Sequence, residues 1–428
     1  MKIQQLSGIL IFISFILTLY SYFLNDDILI FSGIFAWCAL VLLFKFIPKK
    51  SLLILLIILT LSVISYSLFN GFEIDFKKAI LVNQHLLVLL IGVGFLRLIA
   101  TPKKRKIKSL PKGKSSFLKT YLGVHLFGSV INLSSLILVA DKLYKRGPLT
   151  NLQIILLTRA FSSDAYWSPF FVAFAAAITY APNLSTSVIM ANGLILALCA
   201  FFFTYFEIRR KNKLDLHEFR GYPIHFETLY IPVLLALFVL VISSYFPHVK
   251  VIILISFFAI IMTIAILPIK IGLQKAFKRF FKHVTKELPL MKNEITLFLI
   301  AGAFGVAISS LLTGFHIQSP ISHFDASSAS MLLLVLIVVS FLGIHPIISI
   351  AIIGNWMDDV NHTLLAITFL MSWSTAVSTS PFSGLNLTLH ARYNLKATRI
   401  FSINIFYAIK MYIVCVMMLF LISYYLGL

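Results

Sequence analysis

Nine apolar runs, each long enough to cross a bilayer, constrain this chain more than anything else in it. A spanning helix needs about 20 apolar residues. Such runs occupy 5–23, 28–46, 51–69, 79–100, 186–207, 226–246, 249–268, 294–314 and 400–426. Sixty per cent of the residues are hydrophobic and 14% aromatic, more apolar chain than a soluble core can hide. The fold class is therefore an all-α polytopic membrane protein. The second run follows the first at once, with no small-residue cleavage site between them, so the first reads as a retained helix. Cys38, Cys199 and Cys415 lie far apart within these runs, which leaves neither a disulfide framework nor a thiol metal site.

The net charge of +21 is placed by topology, not by nucleic acid. Thirty of the 36 Lys and Arg fall at Lys2 or in six segments: 45–50, 101–119, 142–147, 209–220, 270–292 and 391–399. The positive-inside rule makes those segments cytoplasmic and basic clusters such as Lys103-Lys104-Arg105-Lys106 lipid-headgroup contacts. With the N-terminus inside, the apolar stretch 119–141 begins and ends on the cytoplasmic face and must turn back within the membrane. Gly128-Ser129 and Asn132-Leu133-Ser134-Ser135 supply the break. Stretch 329–354 lies between a loop without Lys or Arg, Gly314–Ser328, and the acidic Asp358-Asp359, so it enters and returns on the external face, broken at Gly343 and Pro346. Amphipathic 270–287 reads as an interfacial arm. The count is about 11 transmembrane helices plus two re-entrant hairpins in two inverted repeats. An extra span occupies 1–27; the repeats are 28–224 (hairpin 119–141, broken span 152–182) and 225–428 (hairpin 329–354, broken span 363–390). Inverted repeats of this kind place a transporter's site near the midplane. The N-terminus is then cytoplasmic and the C-terminus external, in a bacterial-type plasma membrane.

Each broken span contains Ser-Pro-Phe, at Ser168-Pro169-Phe170 and Ser380-Pro381-Phe382. Proline inside a helix removes a donor and clashes with the preceding turn, whereas at the first helical position it is favoured, with Ser as N-cap. Pro169 and Pro381 thus predict half-helices opening at depth, whose free N–H ends suit an anionic group. The competing expectation is a simple proline kink. A second repeated string, Leu-Gly-Val-His at 122–125 and Leu-Gly-Ile-His at 342–345, places His125 and His345 at matched positions as proton or anion candidates.

Polar residues crowd both breaks: Ser162, Ser163, Asp164, Tyr166, Trp167 and Ser168 at the first; Ser372, Trp373, Ser374, Thr375, Ser378, Thr379, Ser380, Ser383 and Asn386 at the second. Some serve only as interhelical bonds. Asp164 is the strongest candidate, since a carboxylate at membrane depth is costly and by default functional; the bland alternative is an ion pair with Arg159. Counting from the Ser-Pro, its counterpart is Ala376. No metal spacing, nucleophile elbow or phosphate loop is present, and no catalytic residue is expected.

The spans, opposed hairpins and interrupted helices resemble the ion-transporter superfamily, which includes divalent-anion/sodium symporters and citrate and arsenite permeases. That resemblance covers the chain from about 28 onward. It implies an elevator-type secondary transporter with substrate and coupling ion at hairpin tips and span breaks. Carried over, Ser134, Ser135, Trp167, Ser168, Ser378, Thr379, Ser380 and Asn386 would bind substrate, and Asn132, Ser163, Asp164 and Thr375 the coupling ion. Asn132-Leu133-Ser134-Ser135 stands where the symporters carry Ser-Asn-Thr. The expected function is transport of a small anionic, carboxylate-like solute coupled to Na⁺ or H⁺, with no cofactor. Lipids and the solute are the partners, nucleic acid is not, and a homodimer is the candidate assembly. The alternative is a membrane-embedded enzyme or flippase acting on lipid-linked substrates, although the longest external loop offers only Asp325 and two histidines.

Overall fold

The computed structural model describes residues 2–48, 50–100, 110–211, 213–222, 230–246, 248–317, 323–357 and 359–428. The start of the expected span 226–246, part of the loop 314–328, the cluster 103–106, Asp358 and the Ser134 side chain lie outside the described residues. Among the described residues the chain is helical throughout, apart from turns and an isolated bridge pairing Lys112 with Arg220. Eight of these helices are long and apolar enough to cross a membrane, and the protein is membrane-embedded and all-α. Each corresponds to one of the runs read from sequence; the ninth run is the shorter helix Tyr230–Tyr245.

The chain forms two compact units, each drawing on both halves of the sequence. The first comprises Met1–Thr101, Ile231–Pro320 and Ile347–Asp358. Here long helices pair through small residues: a Cβ on Gly92 would come within 2.9 Å of the Ser256 backbone. One hydroxyl cluster inside it is paired, Thr18 with Ser32 at 2.6 Å and Ser32 with Ser14 at 3.2 Å. The arm Leu273–Lys282 continues to Glu287, whose carboxylate takes Arg279 at 2.6 Å, His283 Nδ1 at 2.9 Å and Arg97 at 3.1 Å. Arg97, a cation within an apolar span, is thereby compensated. The helix expected as the return arm of the second hairpin packs, from Ile347, in this unit, with Ala351 against Gly305 and Asn355 O accepting from Ser309 Oγ at 3.0 Å.

The second unit comprises Pro102–Tyr230, Ile321–Pro346 and Asp359–Leu428. It holds both interrupted segments, the whole first hairpin and the first arm of the second. The first hairpin is Lys114–Ile131 and Leu133–Tyr144, hinged at Asn132 with φ 49°. Both its ends reach one surface strip: Ser116 and Thr120 pack on Gly221, and Lys142 lies over the Tyr222 ring. At the same end Arg399 binds Asn151 at 2.7 Å and Arg392 grips Asp141 at 2.8 and 2.9 Å. Apart from Asn151 and Tyr222, these residues belong to, or directly flank, segments the charge rule places on one face. At the other end Asn183 N donates to His362 Nδ1 and Ser185 N to Thr363 Oγ1.

Candidate functional site

Both apolar segments carrying Ser-Pro are broken. The first runs as Asn151–Ser162, a single tight turn Ser163–Tyr166, then Val172–Tyr180. The second runs as His362–Thr379, then Gly384–Tyr393. A plain kink is thus set aside, but the serines do not act as expected. Neither is the N-cap of its half-helix, and neither proline is its first residue. Ser168 Oγ donates to Ser129 O at 2.5 Å and Ser380 Oγ to Ser340 O at 2.7 Å, each a carbonyl of a hairpin arm. Each hydroxyl then accepts the N–H two residues on, from Phe170 and Phe382, both at 3.2 Å. The hydroxyls are consumed as joints between break and hairpin, and the helix restarts only after that turn. Ser383 caps the second half-helix through Asn386 N, while Phe171 begins the first without a side-chain cap.

These joints also reset the alignment of the two hairpins. Ser129 lies three residues before Asn132, and Ser340 three before Gly343, whose φ is 112°. In that register His125 is in mid-helix beside Ser129, whereas His345 lies beyond the hinge, in the turn before Pro346. The Leu-Gly-x-His strings are therefore not structurally matched, and the histidines have different surroundings. His345 meets Trp373 edge-on at 5.4 Å and lines a cavity of about 10 Å³, room for at most one water, with Ser340, Ala376 and Ser380.

His125 sits at the heart of the first break. Its Nδ1 is 2.6 Å from Asp164 Oδ1, 3.0 Å from Ser163 Oγ and 3.2 Å from Ala160 O. Its Nε2 accepts from Trp167 Nε1 at 3.3 Å. Asp164 is fully buried, and apart from the close approach of His125 Nδ1 to Oδ1 neither of its oxygens meets a hydrogen-bond donor among the described residues. That oxygen lies over Gly128, where a Cβ would come within 2.1 Å of it.

The alternative pairing of Asp164 with Arg159 is overturned. Arg159, fully buried, instead binds Glu207 at 3.1 Å, Asn404 Oδ1 at 2.9 Å and Ile403 O at 3.2 Å, under the Tyr407 ring. Sequence reasoning passed over Glu207, Asn404 and Tyr407; an acid at the end of one span and an amide within another were the available signals.

Of the remaining candidates, Asn132 Nδ2 reaches Phe170 O at 3.2 Å and Ser135 Oγ returns to Asn132 O, both tying the first hinge. Thr375 and Ser378 spend their hydroxyls on their own helix, and Thr379 Oγ1 contacts Ser378 Oγ. Asn386 Nδ2 donates to Ser380 O at 2.8 Å, leaving its buried Oδ1 unpartnered among the described residues. The two breaks are bridged: Ser374 Oγ donates to Ser162 O at 2.8 Å, and Asn404 Nδ2 spans Thr158 and Ser378 O. No group of three or more His, Cys, Asp or Glu that could hold a metal ion occurs among the described residues. No protein-family model matches the chain, and no curated protein is similar to it.

Proposed function

We propose that the protein is a secondary active transporter of a small anionic solute, with the second unit as the travelling body of an elevator-type mechanism. The observation that carries this reading is the doubled joint. In each half of the chain a serine at a helix break binds a hairpin carbonyl, across 39 residues in one half and 40 in the other. Two such joints within one compact unit fit two repeats of opposite orientation, with 11 spans and two re-entrant hairpins, in the manner of the ion-transporter superfamily. Irregular backbone at membrane depth survives only inside protein or beside a water-filled cavity. The reading includes a cytoplasmic N-terminus and an external C-terminus in a plasma membrane. The solute contacts fall to groups the joints leave unspent: the open half-helix N–H groups at Gly384 and Leu385, Asn386 Oδ1, and the partly exposed Trp167.

A thermal-stability panel of small carboxylates and oxyanions on the purified protein tests the reading, because a ligand that binds the folded state raises its apparent stability. Stabilisation by a soluble anion, followed by its gradient-driven uptake into proteoliposomes, is the expected result. Stabilisation only by lipid-linked headgroups would transfer the protein to the flippase or enzyme class. Tags flanking 119–141 that report opposite faces of the membrane would remove the mirrored repeats, and the carrier with them.

A further inference from the structure

Besides the ion-paired clusters around Arg159 and Glu287, polar groups that the joints do not use gather in three further places. These are the hydroxyl cluster of the first unit, the small cavity beside His345, and the Asp164–His125 pair. The first is fully bonded within itself, and the second has room only for a water. The third holds a buried carboxylate, close to an imidazole but without a hydrogen-bond donor on either oxygen among the described residues.

We propose that the coupling ion is a proton, taken up at His125 of the Asp164–His125 pair, and that its arrival releases Trp167. This rests on the transporter reading and names its driving ion.

The geometry dictates where hydrogens lie. His125 Nδ1 is within reach of Asp164 Oδ1, Ala160 O and Ser163 Oγ. The carboxylate and carbonyl can only accept, and the Ser163 hydroxyl hydrogen is directed at Ala160 O, 2.9 Å away. Nδ1 therefore carries a hydrogen, which Ala160 O accepts at 3.2 Å, while Asp164 Oδ1 lies 2.6 Å from the same nitrogen as a close ionic contact. Nε2 holds a lone pair, because the Trp167 indole can only donate. The imidazole is neutral in this arrangement, and the pair as a whole carries one negative charge in a buried site.

Other charged and titratable groups do not neutralise it. On the same helix stands Tyr121, and on the tight turn itself Tyr166. The preceding helix brings Arg159, already committed to Glu207 and Asn404. Helix Thr186–Lys211 brings Glu207 and Cys199, and Val172–Tyr180 brings Tyr180. Helix His362–Thr379 carries only His362, at its far start.

One added proton makes the pair neutral. Its open side is the imidazole: the His125 side chain is 13% exposed and Asp164 wholly enclosed, with Oδ2 over Gly128. A proton bound at Nε2 turns that nitrogen from acceptor to donor, so the Trp167 N–H must leave it. Trp167 adjoins Ser168, the residue that joins the break to the hairpin, and so ion occupancy is passed to the joint. A sodium ion would bring the same charge but requires a shell of oxygens. Here Oδ1 lies 2.6 Å from the imidazole Nδ1 and Oδ2 faces a glycine.

The test uses the full-length protein with Trp37, Trp356 and Trp373 replaced by Phe, leaving Trp167 as the sole indole. Its emission is followed from pH 5 to pH 9, and separately during NaCl addition against choline chloride at constant pH. The expected result is a one-proton emission change, abolished in His125→Gln and displaced by a pH unit or more in Asp164→Asn, with no response to Na⁺. Should His125→Gln fail to fold, the displacement in Asp164→Asn decides alone. An emission change that is the same in both variants, or a response to Na⁺ with a flat pH profile, overturns the proposal. Because no solute is involved, a proton response without any detectable transport would sink the carrier reading and leave the proton site standing.

Discussion

The two breaks share one mechanical joint and differ in almost everything electrostatic. Both have the serine between hairpin carbonyl and downstream N–H, a proline after it, and a positive-φ hinge three residues beyond the accepting carbonyl. Counted back from the serine, Arg159 stands opposite Met371, Asp164 opposite Ala376 and Trp167 opposite Thr379. The first break is buttressed by a buried ion pair and holds a second acidic group against an imidazole. The second is neutral, with hydroxyls and one amide. Buried charge is not required to break a membrane helix, since the second break does so without it. The charges of the first are therefore additional to the joint, and a buried carboxylate is kept there at a desolvation cost.

Removing the buttress has the largest expected effect. Arg159→Met, which copies the second break's residue, takes from Glu207 its buried guanidinium partner at 3.1 Å, with Lys410 3.8 Å away and half exposed. We expect a loss of about 3 kcal/mol in detergent unfolding, largely restored by adding Glu207→Gln, because breaking one side of a buried pair costs more than removing both. If the single variant is as stable as the parent, the contrast between the breaks is not structural. The joints should come next and be equal. Ser168→Ala and Ser380→Ala each leave an N–H unpaired, that of Phe170 or Phe382, and take one donor from a carbonyl, Ser340 O keeping the Gly343 N–H at 3.2 Å, for about 1–3 kcal/mol apiece. A harmless substitution at one serine alone would show the resemblance between the joints to be superficial.

How much of this was legible in the sequence depends on the range of the interaction. The spans and both breaks follow from local hydropathy and from proline chemistry, and the structure has them where those rules place them. Asp164 and His125 were each identifiable as costly or versatile groups at membrane depth, but their pairing was not, because it joins different helices. The repeated Leu-Gly-x-His string misled: a four-residue match carries no register, and the hinge is set instead by Asn132 and Gly343, residues of different type sharing a positive φ. Ser-Pro suggested capping, and only the hairpin carbonyl, 39 or 40 residues away, shows why the hydroxyl turns elsewhere. Arg159 finds Asn404 across 245 residues, beyond any local rule. The two compact units, interleaved through both halves, left no compositional trace.

The smallest expected effect concerns how the hairpins begin. Asp325 caps the helix Ala326–Phe341 by accepting Ser328 N at 2.8 Å, whereas the first hairpin starts from Gly113 with no side-chain cap. The Ser328 N–H stabilises the ionised carboxylate and holds Asp325 below its ordinary value of 3.8. A lowered acid contributes its full stabilisation above that ordinary value and loses it as pH falls through the folded one. Asp325→Ala should cost about 1 kcal/mol at pH 7 and progressively less toward pH 3, while Asp325→Asn keeps the cap and removes the pH dependence. Gly113→Asp should gain nothing, because its φ of 86° is not the extended backbone from which a carboxylate can cap. Melting temperatures of the three variants at pH 7 and pH 3 check this. A stabilised Gly113→Asp would mean that the two hairpins differ only in sequence at their entrances, not in backbone.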